Sequence, residues 1–245
     1  MKLGIMQPYF FPYLGYYSLI KATDNFILFD TVQFIQKGWI ERNRILKPGP
    51  GFQYISVPLV KHKKTILIKE IEIRNSEDWR DRIIRQLEHY KKRAPYYKET
   101  IDIVEESLGL ETTSIVELNA NVLKKTCEYL GISLNLDIYS KMDLIIDEVT
   151  HPGEWALNIS KALNAEEYIN PCGGTGIFKS EQFTRENISL KFLSNNLNHY
   201  SQRRQSFEAG LSIIDVMMFN DVENINKLID DFEIRSKEEL EQKEI

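Results

Sequence analysis

Residues 3–30 read LGIMQPYFFPYLGYYSLIKATDNFILFD, and the fold turns on them. Residues 3–6 are a short apolar run of the kind that makes a buried strand. Pro8 and Pro12 forbid its regular continuation, so the chain leaves in a loop. From Gly15 onward, Tyr16, Leu19 and Ile20 recur at helical spacing, and residues 22–24 end that helix. Residues 26–29 are apolar without alternation and close on Asp30, which predicts a strand covered on both faces, as in a parallel sheet. Strand, helix and second buried strand make a βαβ unit.

The rest of the chain extends this start into an α/β protein with a Rossmann-like parallel sheet. "PGPG" at residues 48–51 is a turn between extended pieces, and residues 66–73 place isoleucines at 66, 68, 71 and 73 with a slip that suggests a bulge. The reading there is an inserted antiparallel hairpin or small sheet over about 39–74. Residues 76–131 read as an all-helical segment: one helix capped by Ser76, a second starting at Pro95 and closed by Gly109, a third capped by Ser114 and followed by Gly131. Strands are expected at 134–139, 168–169 and 188–192, and helices around Trp155, over 211–219 and over 222–232. The expected organisation is one α/β domain over 1–234 with a charged tail from 235 to 245.

The chain has 245 residues, 42% of them apolar, and a formal net charge of −5. That length can bury a sizeable core. A mildly acidic balance gives no general attraction for phosphate backbones, so no nucleic-acid partner is expected. Cys127 and Cys172 are too few for a disulfide framework. No apolar run reaches the length of a membrane span, and Gln7, Pro8 and Pro12 interrupt any signal peptide. These features predict a cytoplasmic protein. His62, His89, His151 and His199 are scattered without ligand spacing, so no metal is expected.

Several stretches can carry chemistry. Residues 6–17, MQPYFFPYLGYY, hold six aromatic rings together with two prolines and a glycine. The loop after the first strand sits where doubly wound folds bind ligands. Gln7, Pro8, Tyr13, Gly15 and Tyr16 are therefore candidate binding residues, with Gly15 allowing close approach to a helix N-terminus. Packing explains any one ring equally well. Asp30 is either a general base beside that loop or a turn cap, and Gln33 follows it. Trp39, Arg42, Asn43 and Arg44 offer a stacking surface, planar cations and an amide for an anionic group. Alternation turns Asn43 away from both arginines, one of which is expected to point outward. Residues 170–176, NPCGGTG, follow a strand. Asn170, Gly173 and Gly174 can present backbone amides to a phosphate or oxyanion, without the Lys-Ser/Thr of a P-loop. Cys172 is a nucleophile only if the fold supplies a partner such as His151. Tyr200, Gln202 and Asp215 complete the candidates. Ser212 reads as a helix cap.

The stretches QPYFFPYLGYYSLI, FILFDTVQF, RNRI, INPCGGTGIF and YSQRRQSFEAGLSIIDVMMFN together resemble the WbqC-like family of bacterial surface-polysaccharide gene clusters. The resemblance covers nearly the whole chain. It implies a setting in O-antigen-type glycan biosynthesis. A fainter likeness links Tyr13-Leu14-Gly15-Tyr16, followed by Leu19-Ile20, to HIGH-motif nucleotidyl-transfer proteins. There, histidines stand where this chain has tyrosines, and tyrosine supplies no positive charge to an α-phosphate.

The first functional expectation is an enzyme that transfers or ligates an acyl group onto a nucleotide-linked amino sugar, with ATP or the nucleotide sugar as substrate. The alternatives are a non-catalytic module that binds such a precursor, and a transferase or hydrolase using Cys172. Exposed aromatics also fit a homodimer contact.

Overall fold

The computed structural model describes residues 1–241. In chain order the first half comprises β1 (Lys2–Met6), α1 (Leu14–Ala22), β2 (Asn25–Leu28), β3 (Arg42–Leu46), β4 (Phe52–Ser56), α2 (Trp79–Leu87), α3 (Tyr97–Leu108) and α4 (Ile115–Leu130). The second half comprises β5 (Leu136–Ile138), α5 (Glu154–Ala162), β6 (Glu167–Pro171), α6 (Ser180–Arg185), β7 (Ser189–Asn195), α7 (Ile213–Phe219), α8 (Val222–Asp230), β8 (Phe232–Arg235) and α9 (Lys237–Glu241).

Six strands form one sheet in the order β5-β2-β1-β6-β7-β8, parallel except that β8 runs antiparallel to β7. Counted along the sheet's own strands, this is the order 3-2-1-4-5-6 of the doubly wound nucleotide-binding fold. The central strands are buried on both faces because they alternate between two cores. Phe26, Leu28, Ile169 and Leu193 join the core that includes α1, α4, α7 and α8. Leu3, Ile5, Ile27, Tyr168 and Phe192 join the core that includes α5 and α6. Register fixes this arrangement: Ile5 pairs with Ile27, and Gly4 with Ile169. A slip of one residue would exchange the two faces.

β3 and β4 form a separate antiparallel hairpin across the turn at 48–51. Ser114 caps α4, its hydroxyl accepting from Glu117 N, and Gly131 ends α4 in the left-handed region at φ 67°.

Some local expectations need correction. Residues 66–73 are not a strand. Ile68–Glu70 is a single 3₁₀ turn, and isolated bridges, Gln33 to Leu67, Leu59 to Ile73 and Glu72 to Ser114, tie the stretch to its neighbours. The isoleucine slip marks that turn rather than a bulge. Asp78, not Ser76, stands at the N-cap of α2. Gly109 follows α3 at φ −70°, so no left-handed cap is formed there. The last expected helix stops at Asp230, because β8 takes residues 232–235 to the sheet edge. Of the expected tail, residues 242–245 lie outside the described residues. Among the described residues no helix is long and apolar enough to cross a membrane.

Candidate functional site

The strand order reverses between β1 and β6, and loops leaving the carboxyl ends of such strands part to form a crevice. A two-lobed cleft lies there. Met6 from β1, Tyr9 from the following loop and Asn170 from β6 line both lobes. The first lobe, of ≈ 480 Å³, is completed by Tyr13, Trp39, Asn43, Arg44, Gly173 and Gly174, together with Leu197 and Gly210. The second, of ≈ 710 Å³, holds Gln7, Gln33, Phe29, Thr150, His151 and Trp155.

The cleft floor is the loop from β1 to α1, and its carbonyls are satisfied one by one. Tyr16 Oη donates to Gln7 O (2.8 Å), and Asn119 Nδ2 to Pro8 O (2.8 Å). Asn43 Nδ2 donates to both Phe10 O (3.0 Å) and Phe11 O (2.9 Å). Ser212 Oγ also reaches Phe11 O (2.8 Å), and Ile213 N reaches Pro12 O (2.9 Å). A loop with this many buried carbonyls needs such partners. They hold Phe11 at φ 40°, a left-handed conformation unusual for phenylalanine.

The aromatic cluster therefore divides. Phe10, Phe11, Tyr16 and Tyr17 are sealed in the core, while Tyr9 and Tyr13 face the cleft. Tyr16 and Pro8, both buried, belong to the floor's support. Gly15 is not open to a ligand. A Cβ there would lie 2.6 Å from Tyr13 Cε2, so the Tyr13 ring occupies the space over the start of α1. Burial raises the Tyr13 phenol's pKa and the neighbouring Cys172 thiol adds to it, which joins this loop to the glycine-rich one.

Arg44 brings positive charge into the first lobe. Its guanidinium lies 5.3 Å from the Trp39 ring and 5.0 Å from the Phe52 ring, and Nη2 donates to Gly210 O (2.9 Å). Its Nε is buried with no hydrogen-bond partner. Among the described residues Arg44 makes no ion pair. Among the described residues no aspartate or glutamate lines either lobe. Arg42 shares Arg44's face of β3 rather than one of the pair turning away. It stacks 4.0 Å from Tyr54 and donates to Gly38 O and Lys37 O, outside the cleft.

The loop after β6 is fitted around Asn170. Its Oδ1 accepts from Tyr168 Oη (2.9 Å) and its Nδ2 donates to Pro171 O (2.8 Å). A Cβ on Gly174 would stand 2.2 Å from that Nδ2, so a side chain at 174 displaces the amide. Gly173 has nothing within 4 Å of its Cβ position and is open space at the cleft wall. Burial pushes the Cys172 thiol up, against smaller lowering effects of Ser194 and Arg235.

The WbqC-like protein family's sequence model matches residues 7–227. The chain belongs to the WbqC-like family. It is 30% identical over 222 residues to "Uncharacterized protein Rv1507c" of Mycobacterium tuberculosis (strain ATCC 25618 / H37Rv), a match covering 89% of this chain and 93% of that one. No solved structure matches it. The likeness to HIGH-motif proteins is not confirmed by these comparisons.

In this WbqC-like chain Asp30, Tyr200, Gln202 and Asp215 sit away from the cleft, whereas Gln33 and His151 line its second lobe. Asp30 is 1% exposed, and Ser140 N (3.0 Å) and Oγ (2.5 Å) occupy its two oxygens. It ties the end of β2 to the turn after β5. Asp215 is fully buried beneath Tyr90 Oη (2.6 Å), Tyr200 Oη (2.5 Å) and Gln202 Nε2 (3.0 Å). Burial raises its pKa to about 6, against those hydrogen bonds. Gln202 also grips Glu208 N and O, so this cluster pins a loop and lines neither lobe. Gln33 keeps one amide hydrogen on Lys64 O (2.8 Å). His151 is exposed at the second lobe, and its Nδ1 accepts from Gly153 N (3.1 Å), leaving the ring proton on Nε2 when neutral. Among the described residues no group of three or more histidine, cysteine or acidic side chains is placed to hold a metal ion.

Proposed function

We propose that this WbqC-like protein is an enzyme of bacterial surface-polysaccharide biosynthesis. It acts on a nucleotide-linked amino sugar by acyl or aminoacyl transfer, or by amide ligation. The observation that carries this reading is Arg44: the charged side chain of a two-lobed cleft at the sheet's switch point, with a buried Nε lacking a partner. A guanidinium in such surroundings suits a diphosphate linker. Trp39 and Tyr13 give the first lobe flat faces for a base. The second lobe offers Gln7, Gln33 and Thr150 for hydroxyls and Trp155 for a sugar ring, while His151 Nε2–H is a proton donor. Tyr9 and Asn170, shared by both lobes, mark where the two would meet.

Thermal-shift titration with nucleotide-linked amino sugars, their free nucleotides and ATP tests the reading. A nucleotide sugar at a hundredfold excess over its Kd should raise Tm by roughly 5–10 °C. Arg44→Gln should remove most of that shift. Absence of any shift at millimolar nucleotide sugar ends the proposal, and a shift with ATP alone turns it toward ligation.

A non-catalytic binding module is the second reading. It is favoured because among the described residues no carboxylate lines either lobe, and the expected base, Asp30, is sealed away. Turnover of a stabilising ligand decides between them. A nucleophilic Cys172 is the least supported, because its thiol is held above the ordinary range.

A further inference from the structure

Beside the turn at 48–51, Lys47, His89, Arg93 and Arg204 surround a crevice backed by Tyr90 and Gln202. None of these residues lines the cleft. Arg204 Nη1 donates to Gly51 O (3.2 Å), and Lys47 Nζ lies 3.6 Å from where a Cβ on Gly51 would stand. Two cations thus flank one glycine. His89 has its pKa lowered by burial first and then by Arg93 and Arg204, so both guanidinium groups bear on the imidazole. Its Nδ1 is bonded to Gln86 O (2.9 Å), and its Nε2 is buried without a partner.

Among the described residues none of the four makes an ion pair. Arg204 acts on Asp215 without forming an ion pair with it, and Tyr90, Tyr200 and Gln202 supply that carboxylate's hydrogen bonds. In a chain of net charge −5, a concentration of unpaired cations favours an anion. The enclosed part of the crevice is only ≈ 10 Å³, about the room one water needs, so a ligand sits at its mouth and no base or sugar ring enters.

We propose that this crevice binds a small oxyanion of phosphate type, held by Lys47, Arg93 and Arg204, independently of the cleft. Free phosphate and the terminal group of a phosphate monoester present the same chemistry. Calorimetry and thermal shift at constant ionic strength, with inorganic phosphate, glycerol 3-phosphate and a sodium chloride control, test it. The double variant Lys47→Gln/Arg93→Gln changes exposed side chains, so the fold should be kept. Wild type should bind one or both phosphates, the double variant at least tenfold more weakly, and Arg44→Gln as wild type does. Tighter binding of the ester identifies a monoester ligand, and tighter binding of phosphate identifies the free ion. No binding beyond the chloride control, or equal binding by the double variant, overturns the proposal. Loss in Arg44→Gln instead assigns the phosphate to the cleft and also overturns it, while leaving the cleft reading intact.

Discussion

Asn43 shows how one side chain can support a site from behind. It holds two consecutive carbonyls of the floor and accepts from Arg44 N (2.8 Å). Asn43→Ala leaves those buried carbonyls short of donors, and urea denaturation should register a loss of about 2–4 kcal/mol. Gly174→Ala drives a Cβ into Asn170 Nδ2, so ligand binding should fall before stability does, as titration of the variant would show. Cys172 should react slowly with iodoacetamide at pH 7. Cys127, buried and pushed up to about 12, should stay unlabelled until the protein is denatured, which mass spectrometry reads directly. At this scale the sequence was legible for residue types and weak for direction. Trp39, Asn43, Arg44, Gly173 and Gly174 do come together. Asp30 and Asp215 were attractive as acids, yet each is consumed by hydroxyl or amide donors from distant segments, which no local spacing reveals. Tyr9 and Trp155 gave no signal beyond being aromatic.

Among the elements, βαβ units were readable because unbroken apolar runs and proline-bounded loops leave few alternatives. The stretch 66–73 misled because Ile68, Ile71 and Ile73 are buried around a 3₁₀ turn, where spacing mimics strand alternation. β8 was hidden because its residues continue the apolar pattern of α8, and only pairing with β7 separates them. Gly131 was legible from its place after a long amphipathic run. With φ at 67° and open space around it, Gly131→Ala should cost roughly 1 kcal/mol through backbone strain alone, measurable by thermal denaturation.

For the whole molecule, the buried Asp215 cluster gives stability a pH dependence of its own. The carboxyl's pKa rises from 3.8 to about 6 on folding, with burial the leading cause. Folding then favours the protonated form, so the stabilisation is complete below the unfolded value and lost as pH climbs through the folded one. From pH 4 to 7, wild type should lose on the order of 3 kcal/mol relative to Asp215→Asn, as paired urea titrations would show. A flat difference would mean the cluster is ionised throughout. A parallel sheet covered on both faces followed from sequence patterning, whereas its strand order and the cleft's two lobes depend on distant segments meeting, which patterning does not specify.

The floor's partners come from positions 16, 43, 119, 212 and 213, scattered across most of the chain. Such a surface is assembled once, when the protein folds, and has little freedom left to surrender when a ligand arrives. Association should therefore proceed in a single kinetic phase at an ordinary rate of about 10⁵–10⁷ M⁻¹s⁻¹, without a slow rearrangement following encounter.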